Sequence, residues 1–132
     1  MLALFPFTGC SQDQQDAVRK RRSNLLIVWE SYREMHEANG ASPKTSDALV
    51  DWMAKSSNAA LRRDARDCLL EGDAIVNWNG NLGVPGGPER YILAFEAATP
   101  ARGGYVVMGD GVVKSITAKQ FADAEMLPSV VE

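Results

Sequence analysis

Histidine is almost missing from this chain and cysteine is scarce: 132 residues hold one His and two Cys. That leaves little material for a structural zinc site, which takes about four ligands. A hydroxyl or thiol nucleophile needs a base beside it, and His36 is the only imidazole on offer. No uncharged stretch approaches the roughly 20 apolar residues that cross a bilayer as a helix. Neither sign of charge dominates: 14 Lys and Arg stand against 17 Asp and Glu, for a net charge of -3. The basic excess of a nucleic-acid binder is therefore lacking, and no nucleic-acid partner is expected. What is present is ordinary globular material. Apolar residues make up 45% and charged residues 23%, a mix that excludes a disordered chain. The length suits one domain around a single core.

The N-terminus runs MLALFPFTGCSQDQQD, an apolar segment from Leu2 to Phe7 that turns abruptly polar after Cys10. Phe7-Thr8-Gly9-Cys10 resembles the lipobox of bacterial lipoproteins. That resemblance implies lipidation at Cys10, a membrane attachment through acyl chains, and a place in the cell envelope (periplasm or outer surface). Each buried methylene of such an anchor contributes ~0.8 kcal/mol of membrane affinity. Cys68 is then an unpaired, buried thiol in the apolar company of Leu69 and Leu70. A Cys10–Cys68 disulfide is the competing use, which two cysteines cannot decide. Residues 1–22 read as a lipoprotein-type N-terminus and polar stalk, with residues 23–127 as the folded domain. The run Arg19-Lys20-Arg21-Arg22 reads first as a solvated face of that stalk.

Residues 12–39 carry the longest helical signal. Leu25, Val28, Trp29, Tyr32, Met35 and His36 recur at steps of three and four, which places them on one face. Gly40 is placed to cap the C-terminal end. Thr45-Ser46-Asp47 offers N-caps for a second helix to about Lys55. A third covers Asn58 to Leu69, with Ala60, Leu61, Ala65, Cys68 and Leu69 inward and Arg62, Arg63, Asp64, Arg66 and Asp67 facing water. The period then changes to strands at residues 73–78, 91–96, 105–108 and 112–116. Gly109-Asp110-Gly111 between the last two is a tight-hairpin signal, because Asp-Gly supplies positive φ angles. Thr117 with Gln120 matches a capping box that opens a last helix through Met126, followed by a loose tail. Helices first and a meander afterwards predict an α+β fold, a long N-terminal helix packed on a four-stranded antiparallel sheet with short extra helices.

Two segments together resemble bacterial pseudopilins of the type II secretion family. Asn24-Leu25-Leu26 to Tyr32, then Asn39-Gly40-Ala41-Ser42-Pro43 and Leu49, resembles their helix exit. The stretch from Gly103 to Lys114 is similar to the strand, Asp-Gly, strand hairpin of prepilin-like proteins of planctomycete-type bacteria, in which a His precedes Asp-Gly by nine intervening residues. The likeness covers residues 23–50 and 73–124. Pro100 stands where that His falls, and neither a prepilin cleavage motif nor the apolar half-helix of a pilin is found. The resemblance implies a pilin-like domain carried on a lipid anchor, acting without catalysis through protein partners or self-association in secretion or surface assembly. It also makes Asp110 a weak calcium candidate, since major pseudopilins hold Ca²⁺ in a C-terminal loop; otherwise neither cofactor nor metal is expected.

Chemistry-bearing residues are sparse. His36, near a helix C-terminus, reads as a structural residue. Glu71, Asp73, Glu96 and Asp110 lie near strands at spacings that define no acid–base pair of the glycosidase kind. The chain therefore reads as no enzyme. The loops at 79–90 and 97–104 are the expected contact surface. The alternative is an extracytoplasmic ligand-binding module, with Trp78, Asn79, Asn81, Arg102 and Tyr105 around the Gly-rich loop as its surface. Trp29, Trp52 and Trp78 sit at core-like positions.

Overall fold

The structure is a computed structural model that describes residues 5–130, with side chains from Asp13 onward. The Cys10 side chain lies outside the described residues. The architecture is the expected α+β arrangement, a long N-terminal helix over a four-stranded antiparallel sheet with short helices around it.

Helix α1 spans Phe5–Asn39. From Ser11 to Asn39 it meets neither Gly nor Pro. It stops at Gly40, whose φ of +72° is open to glycine and whose N–H reaches the His36 carbonyl at 2.8 Å. Leu25, Val28 and Tyr32 fall on one stripe and are buried. Helix α2 spans Ser46–Lys55, starts where the Thr45 hydroxyl accepts the Ala48 N–H, and buries Leu49 and Met53. Helix α3 is Arg63–Leu70 and buries Ala65 and Leu69.

The third helix thus begins five residues later than its pattern suggests, after a series of turns from Ser57 to Arg62. The shift changes which side chains turn inward. Leu61 is 76% exposed, whereas Arg62, expected in water, is only 4% exposed. Arg62 donates twice to the Glu34 carboxylate of α1, at 2.9 and 2.8 Å, and Trp52 of α2 adds its indole N–H at 3.4 Å. The two-pronged carboxylate offsets hydration that the buried guanidinium loses.

The strands are β1 Ala74–Val76, β2 Ile92–Glu96, β3 Gly104–Met108 and β4 Val113–Ile116, in that spatial order and all antiparallel. Val76, Ala94, Val107 and Val113 form one row across the sheet and pack beneath α1. On the other face Ile92, Val106 and Met108 lie under helix α5, Ala118–Asp123, where Phe121 meets Phe95 edge-on at 4.8 Å. The capping box at Thr117 and Gln120 is formed. The hairpin turn is closed by Gly111, with φ +94° and its N–H on the Met108 carbonyl. Trp29 lies against Gly111 and donates its indole N–H to the Gly109 carbonyl at 2.9 Å.

Two connections differ from expectation. Residues 97–104 hold a helical turn, α4, at Thr99–Arg102. The chain after α5 is no loose tail. Leu127 is buried and bonds to the Ile92 carbonyl, while residues 128–130 pair with Asn79, Gly80 and Asn81. Loose tails lose nothing to water; this one satisfies backbone groups that would otherwise be buried unpaired.

Candidate contact site

At one end of the sheet, α1 is fastened by a cluster that joins residues 75 positions apart. Arg21 donates from Nε and Nη2 to the two Glu96 oxygens at 2.7 Å each. Glu96 also accepts the Tyr105 N–H at 2.8 Å. Burial pushes the Glu96 carboxyl up, but the Arg21 hydrogen bond, the Tyr105 N–H and the guanidinium charge together hold it below the usual range. The guanidinium groups of Arg21 and Arg22 lie 5.0 and 5.9 Å from the centre of the Tyr105 ring. Lys20 meets Asp64 of α3 at 3.5 Å. The basic run therefore reaches the body at Lys20, Arg21 and Arg22, while Asp13 to Gln15 and Arg19 point to water.

Arg102 and Tyr105 come together here, as the ligand-binding alternative requires. With Arg21, Ser115 and Gln120 they line an open hollow of about 410 Å³. Trp78, Asn79 and Asn81 do not join them. Glu96, level with Ala74, marks the Tyr105 end of the sheet, and Trp78 follows β1 at the opposite end. There the Asn79 N–H bonds to the Pro43 carbonyl at 2.7 Å and the Asn81 N–H to the Pro128 carbonyl at 2.7 Å. Trp78 is half-buried against the core. These three residues are engaged in closing the fold.

A second groove of about 390 Å³ opens between α1, α3 and the start of β1, and holds Asn24, Cys68 and Asp73. Cys68 is a free thiol that receives the Asn24 side-chain N–H at 3.3 Å. Burial raises its pKa, and the charges of Asp73 and Glu71 raise it further. The thiol is thus kept protonated and a poor nucleophile. His36 lies about three helical turns along α1 from Asn24, out of its reach. Asp110 is exposed and its Oδ1 accepts the Val112 N–H at 3.2 Å, so one oxygen serves the turn. Among the described residues no group of three or more His, Cys, Asp or Glu side chains converges to hold a metal.

Sequence reasoning missed Arg21, Arg22 and Glu96 as a unit. No local spacing links positions so far apart; the one available signal was a carboxylate ending an otherwise apolar strand. Comparison of the chain with protein-family models, with curated proteins and with solved structures finds no match in any of the three.

Proposed function

We propose that this chain is a non-enzymatic, lipid-anchored pilin-like domain of the cell envelope that acts through protein–protein contacts in secretion or surface assembly. The observation that carries the reading is the two-part helix α1. From Lys20 onward it contacts α3 or the sheet, and Leu25, Val28 and Tyr32 enter the core. From Asp13 to Arg19 all but Val18 are exposed. A small sheet bearing a helix that extends beyond it is the arrangement a pseudopilin-like domain requires. The lipobox-like Phe7-Thr8-Gly9-Cys10 supplies the attachment, and the lone His36 argues for contact in place of catalysis.

Mass spectrometry of the N-terminal peptide, taken from the native bacterium after membrane fractionation, tests the anchor. Acyl groups on Cys10 and recovery in the membrane fraction are expected. An unmodified Met1 in a cytosolic fraction overturns the reading.

A further inference from the structure

We infer that the free edge of β4 is a docking site for an extended, acidic segment of a partner protein, added as a fifth strand. This rests on the contact-domain reading above and names its partner class.

The backbone pattern opens that edge. The Met108 N–H bonds to the Val112 carbonyl, and the register pairs Val106 with Lys114 and Gly104 with Ile116. In an antiparallel ladder this alternation turns the N–H and C=O groups of Val113 and Ser115 away from β3. No described group bonds to them. The opposite edge offers less, because β1 is only three residues long and α3 lies alongside it. Charge then selects the occupant. Although the chain as a whole is acidic, Lys114, Arg102 and Arg22 lie by this edge, are all exposed, and make no ion pair among the described residues, Asp123 and Glu125 being the carboxylates that share a hollow with Lys114. Arg21 is already matched by Glu96.

The two faces of an added strand would meet different surroundings. On the α1 side lie the Tyr105 ring and Val113. On the α5 side lies Lys114. A strand that alternates apolar and acidic residues matches both. A second copy of this chain fits poorly, since two β4 edges paired about Lys114 would set the two lysines opposite each other.

The test uses the full-length chain and a labelled synthetic peptide of alternating valine and glutamate, with a valine–lysine peptide as control. Fluorescence anisotropy is expected to detect the acidic peptide only. Hydrogen exchange is expected to slow at the Val113 and Ser115 amides on binding, and to stay unchanged at Lys114, whose N–H is already in the ladder. Ser115→Pro removes one outward N–H without touching the β3 pairing, and is expected to weaken binding about tenfold. Lys114→Glu weakens the acidic peptide and admits the lysine control. Equal binding of both peptides to the native chain, or unchanged binding by Ser115→Pro, overturns the inference. So does protection of the two amides that rises with protein concentration in the absence of peptide, which would identify a second copy as the occupant. Peptide binding by a chain that proves cytosolic and unacylated would overturn the envelope reading alone.

Discussion

Tyr32 and Gly80 are fitted to one another. The Tyr32 hydroxyl accepts the Gly80 N–H at 2.7 Å and donates to the Asn77 carbonyl at 2.8 Å. A Cβ added at position 80 would lie 2.6 Å from that hydroxyl and would strike the Leu127 side chain. Ser42 completes the node by donating to the Gly80 carbonyl at 2.7 Å. One phenol thus joins α1, the segment after β1 and the approach to α2.

Gly80→Ala is expected to destabilise the fold by about 2 kcal/mol or more, through overpacking against atoms that cannot withdraw. Tyr32→Phe is expected to cost about 1–3 kcal/mol, because it leaves a buried N–H and a carbonyl short of a partner. Urea unfolding followed by tryptophan fluorescence measures both. A Gly80→Ala protein as stable as the parent would show that the node can relax.

The Arg62–Glu34 pair makes a second prediction. Glu34→Ala strands a buried guanidinium and is expected to cost about 2 kcal/mol, below the value for a fully enclosed pair because Glu34 is partly exposed. Replacing both residues by methionine is expected to recover most of that loss. A double-mutant cycle in urea reads the coupling directly.

Acid is expected to loosen the attachment of α1 to the sheet. The Glu96 carboxyl is held below its ordinary value of about 4.5 in the fold. Its ionised form is therefore favoured in the folded chain, and the associated stability is present above about pH 4.5 and is lost as pH falls through the depressed folded value. Glu96→Gln should lower stability at pH 7 and flatten this acid limb. Unfolding curves between pH 7 and pH 3 check it, and an unchanged slope would remove Glu96 from the account.

Cys68 is expected to react slowly with thiol reagents near neutral pH. In a Cys10→Ser background, Asp73→Asn should speed labelling by removing one of the charges that raise its pKa. Asn24→Ala should slow it, because the Asn24 N–H favours the thiolate. Disulfide-exchange kinetics with a coloured reagent would show either change.

Much of the fold can be read from local pattern, and the exceptions have a common cause. Period and punctuation located α1, the four strands, the Asp110-Gly111 turn and the Thr117–Gln120 capping box, because each is set within a few residues. Leu61 and Arg62 were misplaced because the helix begins five residues later than its pattern suggests, which leaves both in the turns before it. Only the distant Glu34 rewards burying the arginine. Arg21, Glu96 and Tyr105 were missed as a unit for the same reason, since their pairing exists only after the sheet has formed. Trp78 and Tyr105, grouped by their aromatic character, are separated by the run of β1.

The pairing of Leu127 and residues 128–130 with Ile92 and with Asn79 to Asn81 bears on how the chain matures. A nascent polypeptide that has delivered the helix and all four strands still lacks the segment that closes the far end of the sheet. Its contacts span the greatest sequence distances in that region, so they form late and their loop-closure cost falls due last. Until the Leu127 segment has docked, Tyr32 and Gly80 surround a gap where Leu127 belongs, and a chain lacking it presents that apolar opening to chaperones and proteases.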